Sequence, residues 1–492
     1  MTKRMGFGAL AALAALLALP SMALAQGGGG IGVETVKSEL DITWVMVACV
    51  LVLFMQAGFL LLEIGFSRQK NVGAGVAKVF VNLAVVTLAW WAVGFGISSL
   101  TGNKIFGTEG FFFHTGQDIA GVPVGGAETA LMLFGMLFCA VSLAIVWGTT
   151  LERIKFGAYV IYAAVFGAII YPLVAHGVYG GGLLADVGGK PVMDFAGSTV
   201  VHLTGAVGAL AALLLLGPRI GKYGADGKAR AIPGHSMPLV GLGVAILWVG
   251  WYGFNAGSTF GTSDNFMAEV ALNTQLAAAA GVLGACAIVH MKTKSLDVGM
   301  AGNGAIAGLV GITAPSGFVE FWAAPIIGMV AGVIVVYGVY AIDKYLDDPV
   351  GALSAHGLAG IWGTLAIGLF GSERLVLDGA APGVWYGIFG DADVGSTVGQ
   401  LAVQAVGVAA TFALVFALSY ATFLAIKMTI GLRVPEDEEQ AGLDISSHGM
   451  YGLPEAFIPP EEYPGADHRV PKPAASSPVG ATAMTADRPS QA

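Results

Sequence analysis

Residues 194–202 read DFAGSTVVH, and residues 348–356 read DPVGALSAH. Both stretches fit one pattern, in which Asp is followed by Gly after two residues and by His after four more. The first stretch leads into the fifth apolar segment of the chain and the second into the tenth. Because five segments separate the two copies, they run through a membrane in opposite directions, which is typical of inverted-topology repeats. The pattern therefore predicts two related halves, each with one histidine at an equivalent depth.

The composition supports a membrane protein. Of the 492 residues, 56% are hydrophobic and 11% are charged, and 74 are glycine. Soluble domains carry about 25% charged residues, and small residues such as glycine are typical of closely packed transmembrane helices. The net charge of −9 offers no basic surface to phosphates, so we expect no nucleic-acid partner. Cys49, Cys139 and Cys286 lie in apolar runs and lack the spacing of a zinc site or a disulfide framework.

Eleven apolar segments follow a short glycine-rich linker. Most of them approach the ~20 residues that a helix needs to cross a bilayer. We therefore predict an all-α integral membrane protein with eleven transmembrane helices, of which the first ten form an inverted 5+5 repeat and the last is added after it. The segments lie at residues 42–64, 76–100, 129–149, 156–179, 199–216, 236–260, 267–290, 299–315, 321–342, 353–371 and 398–426.

The N-terminus has the features of a secretory signal peptide over residues 1–25. Lys3 and Arg4 precede an apolar stretch, and a small-residue Ala-Leu-Ala pattern completes the segment. An uncleaved signal-anchor helix is the alternative, although this apolar stretch is short for a membrane span. We expect cleavage, which leaves the mature N-terminus outside and the membrane domain over residues 26–430.

The distribution of basic residues indicates the orientation. An odd number of spans with the N-terminus outside places the C-terminus in the cytoplasm, where Lys and Arg should concentrate. On this topology fourteen basic residues between the signal peptide and residue 433 lie inside and four lie outside. The inside group is Arg68, Lys70, Lys78, Arg153, Lys155, Arg219, Lys222, Lys228, Arg230, Lys292, Lys294, Lys344, Lys427 and Arg433, and the outside group is Lys37, Lys104, Lys190 and Arg374.

The composition changes after the last apolar segment. Residues 436–439 are all acidic, and a stretch rich in Pro, Ala and Ser follows them. Such segments cannot bury enough apolar surface to fold alone. We predict a cytoplasmic tail over residues 431–492 that is disordered from about residue 455.

The repeat also predicts a functional site. Transporters with inverted repeats hold their substrate near the midplane, so we expect His202 and His356 to face each other there. Two unrelated histidines bonded to nearby carbonyls are the alternative, although ionisable groups inside a membrane are usually functional. Asp348 precedes Pro349 and is predicted to cap the tenth helix. Asp194 either caps the fifth helix or lowers the electrostatic cost for a cation near the pore, and the sequence leaves both open.

These stretches resemble the ammonium transporter family (Amt/Mep/Rh), in its bacterial Amt-type form. The copy at residues 194–202 is similar to the family signature, and further matches occur in the same order across residues 40–452. They are QAGF at 56–59 with Glu63, Arg68, Lys70 and Asn71, ERIK at 152–155, GWYGFNAGS at 250–258, GLRVP at 431–435, GLD at 442–444 and SHG at 447–449.

The resemblance implies roles for residues in both halves. It implies that His202 and His356 are the twin histidines of the pore. Phe138 and Phe254 match the stacked rings that gate the outer mouth, and Phe138 also contributes to ammonium binding there. Ser258 matches the hydroxyl of the external ammonium site.

Three further residues belong to the same outer region. Asp194 matches the aspartate that family members carry near the external site. Tyr179 occupies a position where many members carry Trp, and because Trp offers the better cation-binding face, we expect a different external affinity. Phe134, one helical turn before Phe138, is either a further aromatic of the vestibule or a core residue.

The implied function is ammonium transport from outside into the cytoplasm across a bacterial inner membrane. Ammonium is nearly the size of potassium, so the loss of a proton at the mouth would select it more sharply than radius. Ammonia and the proton would then pass along the twin-histidine pore. The alternative is an ammonium sensor that signals through the cytoplasmic tail.

The resemblance also implies partners. We expect a homotrimer, ammonium or ammonia as substrate with methylammonium as a related one, and a PII-type regulatory protein at the cytoplasmic face. We do not expect an enzyme, a cofactor or a metal site, because two histidines without a third ligand make a poor metal centre.

Overall fold

The computed structural model describes residues 33–456, so the predicted signal peptide and the tail beyond Ala456 lie outside the described residues. Apolar helices dominate this part of the chain, and each overlaps one predicted segment. The predicted helical, multi-pass membrane architecture is thereby confirmed. The helices are α1 (Val33–Phe66), α2 (Gln69–Ser98), α3 (Gly126–Thr149), α4 (Phe156–Val178), α5 (Ser198–Leu216), α6 (Met237–Thr259), α7 (Phe266–Thr293), α8 (Val298–Thr313), α9 (Ala323–Ile342), α10 (Leu353–Phe370) and α11 (Val394–Thr429).

Ten of these helices are long and apolar enough to cross a membrane, and α8 is shorter. With 16 residues, α8 spans ~24 Å at 1.5 Å per residue, less than the ~30 Å of a hydrocarbon core. Most residues of α8 are buried by neighbouring helices. A helix enclosed by protein does not have to match the thickness of the lipid.

Several helices extend beyond their predicted segments, and α1 and α11 show the reason. α1 begins at Val33 with two exposed turns, whereas its apolar segment begins at residue 42. α11 begins at Val394, where the Asp393 side chain accepts the N–H of Ser396 at 2.6 Å and caps the helix. Hydropathy marks the apolar part of a helix and not its polar ends, which explains both differences.

Lys78, one of the fourteen basic residues predicted to lie inside, does not lie in a loop. It lies within α2 and is only 2% exposed. Its charge therefore acts inside the helix bundle and does not contribute to the loop charge that orients the chain.

Short elements fill the connections. Strands β1 (Asp118–Ile119) and β2 (Val122–Pro123) form an antiparallel hairpin between α2 and α3. A short helix, Val384–Phe389, precedes α11, and helices α12 (Glu436–Ala441) and α13 (Leu443–His448) follow it. One-turn 3-10 helices lie at Ser263–Asn265 and Pro454–Ala456.

α1 and α6, the first helices of the two predicted halves, pack closely along each other. A Cβ added at Gly58 would lie 2.7 Å from Cγ of Leu247, and one added at Gly243 would lie 2.6 Å from the backbone N of Leu62. Glycine at these positions lets the two backbones approach, as in other membrane helix pairs.

The same principle holds α7 against α8 and α9. A Cβ at Gly308 of α8 would lie 2.5 Å from the Ala277 carbonyl of α7. A Cβ at Gly328 of α9 would overlap that same carbonyl. One turn of α7 is therefore enclosed by glycines of two neighbours.

We predict that Gly328→Ala lowers the free energy of unfolding by about 1–3 kcal/mol, because the added methyl forces α7 and α9 apart. The measurement is thermal unfolding of the purified protein in detergent. Gly241→Ala on α6 is the matched control, since a Cβ there has no atom within 4 Å. Equal melting temperatures for both variants would contradict the packing described above.

Candidate functional site

The turn that carries His202 is fixed by Asp194. α5 opens with a π-helical turn, Ser198–Leu203, and the Asp194 carboxylate accepts four backbone N–H groups before and within it at 2.7–3.0 Å. Gly197 has φ +117°, a conformation that side chains rarely adopt. The Asp-x-x-Gly part of the motif is therefore a helix cap that sets the orientation of the histidine. The four donors are Gly197, Ser198, Thr199 and Val200.

The second copy of the motif has the same local structure. The Asp348 carboxylate accepts the N–H groups of Gly351 at 3.0 Å and Leu353 at 2.8 Å, and Gly351 has φ +77°. The π-helical turn that follows, Leu353–Leu358, contains His356. Asp348 thus caps α10, and one sequence pattern produces one structure twice.

The two turns bring the histidines together. Nδ1 of His202 lies 3.2 Å from Nδ1 of His356, and the ring centroids lie 5.2 Å apart with 25° between the planes. His202 is fully buried and His356 is 6% exposed. Since only one hydrogen can lie between two Nδ1 atoms, one ring donates and the other accepts. Among the described residues no group of three or more His, Cys, Asp or Glu could hold a metal ion.

A continuous row of rings connects this pair with the protein surface. Phe254 lies 5.5 Å from His202 and stacks on Phe138 at 3.9 Å with 5° between the planes. Phe134 contacts Phe138 at 4.3 Å and Phe260 at 5.3 Å. Phe260 is 47% exposed, whereas the other phenylalanines of the row are buried. The row therefore leads from the surface to the histidines, and the Phe138–Phe254 stack leaves no gap for water.

Ser258 lies at the surface end of this row, one helical turn after Phe254 and 7% exposed. Its Oγ donates a hydrogen bond to the Phe254 carbonyl at 2.9 Å. Because the hydroxyl proton is used there, the lone pairs of the oxygen remain available to accept a hydrogen bond from a ligand.

Tyr179 and Asp194 lie near the same end but do not join the row. Tyr179 follows the last residue of α4 and is exposed, and within the described residues no ring contact links it to Phe138 or Phe254. Burial raises the pKa of Asp194, the four backbone N–H groups oppose this, and the pKa is about 6. The four N–H donors favour the ionised carboxylate, and its charge acts on Tyr179. Of the two roles predicted for Asp194, the structure shows the helix cap directly.

A cavity opens on the other side of the histidine pair. The Phe59 ring lies 6.5 Å from His356, and both residues line the cavity with Glu63 of α1, Gly148 of α3 and Asn303 of α8. This cavity and the row of rings lie on opposite sides of the pair. The row reaches the pair at His202 and the cavity reaches it at His356, so the pair lies between them.

Trp251 was not predicted as a site residue. Its indole stacks on His202 with centroids 5.2 Å apart and 18° between the planes, and its Nε1 donates to Thr313 Oγ1 at 2.8 Å. Trp251 precedes Phe254 by three residues, so both lie on the same face of α6. This three-residue spacing is the sequence feature that could have predicted Trp251 as a site residue. In the structure its indole fixes the plane of the His202 imidazole.

A buried layer of charges lies beyond the cavity, at the loops that join the helices. The backbone N–H and Nε of Arg68 donate to Glu152 at 2.6 and 2.7 Å, and Arg219 holds both oxygens of Asp347 at 2.9 Å. Burial alone would raise the pKa of Glu152, but Arg68 and Arg219 lower it overall. Burial is likewise outweighed at Asp347, where Arg219 and Arg153 lower the pKa to about 2. The layer therefore ties four loops together.

The C-terminal segment docks on this layer. Glu439 accepts the N–H of Ile220 at 2.8 Å and pairs with Arg433 at 2.6 Å. Asp444 accepts the N–H of Ala74 at 2.9 Å. The predicted tail is thus folded against the membrane domain as far as it is described.

The fold and the site define a multi-pass helical membrane protein with a buried histidine pair between a row of aromatic rings and a small cavity. Residues 43–453 match the model of the Ammonium Transporter Family, and the chain belongs to this family. This match confirms the family resemblance found in the sequence. Members of this family transport ammonium and are not enzymes.

Individual relatives agree. Ammonium transporter Amt2 of Archaeoglobus fulgidus is 41% identical over 454 residues, which cover 88% of this chain and 93% of the relative. The ammonium transporter of Bacillus subtilis is 33% identical over 417 residues, which cover 83% of this chain and 97% of the relative. A solved structure described as "Sensor Amt Protein" is 33% identical, with a TM-score of 0.76, and the match covers 84% of this chain and 100% of that one.

We predict that Asp194→Ala lowers the free energy of unfolding by about 2 kcal/mol or more, because four buried N–H groups lose their acceptor. Thermal unfolding in detergent measures the effect. Asp393→Ala is the matched control, since the exposed Asp393 carboxylate accepts one backbone N–H, that of Ser396, in the described structure, and its loss should cost about 1 kcal/mol. A smaller loss for Asp194→Ala than for the control would contradict the capping role.

Proposed function

We propose that this protein moves ammonium from outside the cell into the cytoplasm, and that the ion loses a proton at the aromatic mouth. Ammonia then passes the histidine pair, and the proton follows separately. The observation that carries this proposal is the 3.2 Å contact between His202 and His356 at the end of a buried row of rings. Neutral imidazoles offer hydrogen bonds to ammonia but no negative charge to an intact cation.

The outer end of the row is proposed as the ammonium-binding site. The Ser258 oxygen can accept an N–H of the ion, and the faces of Phe138 and Tyr179 attract its charge. The ionised carboxylate of Asp194 adds a negative potential nearby, although its own oxygens are taken by backbone N–H groups. Potassium gains no directional hydrogen bond at such a site.

The stacked pair of Phe138 and Phe254 is proposed as the gate. Rings with centroids 3.9 Å apart leave no room for a hydrated ion, and moving an intact cation through apolar surroundings costs several kcal/mol. Deprotonation removes this cost, because ammonia is neutral. Potassium has no proton to release and is therefore excluded.

The histidine pair is proposed as the relay for the released proton. His202 Nε2 is buried and has no hydrogen-bond partner in the described structure, so it can bind ammonia or a proton. Two imidazolium ions 3.2 Å apart would repel each other strongly. We infer that the pair accepts one proton at a time and passes it from ring to ring.

The finer architecture and the partners are proposed together. We propose eleven transmembrane helices in inverted halves, α1–α5 and α6–α10, with the mature N-terminus outside and the C-terminal segment on the cytoplasmic side of a bacterial inner membrane. The matching caps of Asp194 and Asp348 support the repeat. We also propose a homotrimer and a PII-type protein that binds at the cytoplasmic face, as the family resemblance implies.

A sensor function is the second candidate. The similar structure described as "Sensor Amt Protein" favours it, and so does the C-terminal segment, which is held in place by Glu439 and Asp444. A sensor would bind ammonium at the same outer site but signal through that segment. Transport remains the better-supported function, because a cavity lined by Phe59, Glu63 and His356, which we call the exit cavity, lies on the far side of the histidine pair.

We predict that wild-type protein in proteoliposomes carries an ammonium-evoked current that is selective against potassium, and that His356→Ala abolishes this current or turns it into a potassium leak. The reason is that the variant loses the proton relay. The measurement records current and internal pH together. His114→Ala, in an exposed loop, is the control and should match wild type.

The outcome distinguishes the candidates. Unchanged ammonium current and selectivity in His356→Ala would contradict the histidine relay. A silent wild-type protein that still binds ammonium would favour the sensor function.

We predict that a chain ending at Ile430 no longer binds a PII-type protein, whereas a chain ending at Ala456 binds it as the full chain does. The shorter chain loses α12 and α13. Co-purification from membranes checks this. Light scattering should give a protein mass of three times that of the processed subunit. Equal binding by both chains would contradict the proposed docking face, and a monomer mass would contradict the trimer.

A further inference from the structure

Glu63 is an ionisable residue in the exit cavity that the proposed mechanism has not used. It lies one helical turn after Phe59 on α1 and is only 2% exposed. Of the side chains that line the cavity in the described structure, Glu63 and His356 are the two that can exchange a proton. A proton leaving the histidine pair on this side therefore enters a space whose next titratable group is a carboxyl.

The surroundings of Glu63 are not those of a structural carboxylate. Its Oε2 atom is buried and has no hydrogen-bond partner in the described structure, whereas nearly all buried polar groups are bonded. Glu152, in the adjacent charged layer, shows the contrast, because Arg68 binds both of its oxygens. An unpaired carboxyl oxygen beside a cavity is free to bind a small molecule within it.

Lys78 makes a charge at this position tolerable. It is buried within α2, and its positive charge interacts with Glu63. The two side chains form no direct ion pair within the described residues. Lys78 is held from α4, where the Tyr159 hydroxyl donates to its backbone carbonyl at 2.5 Å. Glu63 can therefore be ionised after giving up a proton without being locked in a salt bridge.

We propose that Glu63 is the proton donor that converts ammonia back into ammonium on the exit side of the pore. The inference rests on the proposed function, because it needs ammonia and a separate proton arriving past His356. In the step itself, the O–H bond of the Glu63 carboxylic acid breaks and a fourth N–H bond forms on ammonia. The products are ammonium and the Glu63 carboxylate, which then takes up the proton relayed through His356.

The position of this step fits its energetics. Ammonium forms in the cavity beyond the histidine pair, so the cation never enters the constriction between the rings. The new carboxylate and the new cation attract each other, and the nearby charge of Lys78 weakens that attraction so that the ion can leave. General acids that are positioned in this way accelerate proton transfer by about 10²–10⁴-fold.

The test compares three variants of the full-length protein in proteoliposomes, with ammonium chloride as the probe. Glu63→Gln keeps the shape of the side chain but removes the acid, and Glu63→Asp keeps the acid on a shorter stem. Glu39→Gln changes an exposed residue near the other end of the same helix and is the matched control. The ammonium-evoked current is divided by the amount of folded protein, determined from size-exclusion chromatography of protein re-extracted from the same vesicles.

We expect Glu63→Gln to reduce the current about tenfold or more, Glu63→Asp to retain a large part of it, and Glu39→Gln to match wild type. A Glu63→Gln current equal to wild type would overturn the inference, and so would equal losses in Glu63→Gln and Glu63→Asp. In both cases an active wild type leaves the proposed function intact. A wild type without ammonium current would overturn the proposed function and this inference with it.

Discussion

The contact between the Nδ1 atoms of His202 and His356 is the constraint on which the rest of the structure depends. Imidazoles can lie 3.2 Å apart only if α5 and α10 begin at matching depths and approach closely. The aspartate caps set where the helices begin. Gly360 permits the close approach, because a Cβ there would lie 2.6 Å from the Ser198 carbonyl. The Asp and Gly of the motif thus position the two helices, and this position brings the histidines into contact.

The charges of the molecule are arranged around this contact and not at it. Asp194 lies at the end of the path near the surface, and the layer of Arg68, Glu152 and Arg219 lies beyond the exit cavity. Between them lie the phenylalanine rings, the histidine pair and the cavity that Glu63 lines. Such surroundings favour a neutral molecule over an ion, which is why the proposed mechanism removes the charge of ammonium at one end and restores it at the other. Glu63 lies in the cavity where the proposed mechanism converts ammonia back into ammonium.

Much of this could be predicted from the sequence, because the relevant signals are periodic or repeated. The apolar segments predicted the helices, and the repeated Asp-x-x-Gly pattern predicted two equivalent turns. The stacking of Trp251 on His202 and the unpaired oxygen of Glu63 could not be predicted, since both depend on how each helix is rotated against its neighbours. The same holds for the exposure of Tyr179, and for Lys78, whose burial in α2 no charge count reveals. Only the hydrogen bonds of Asp194 show that its carboxylate serves as a cap.

The most direct test of separate ammonia and proton passage measures charge and nitrogen in the same wild-type vesicles, in light and in heavy water. The uptake of ¹⁵N-labelled ammonium and the integrated current are compared under both conditions. The account predicts one elementary charge per nitrogen and a smaller current in heavy water, because a proton moves along the histidine pair in every cycle. A current that heavy water does not slow, beyond its effect on viscosity, would show that the intact ion crosses and would contradict the account.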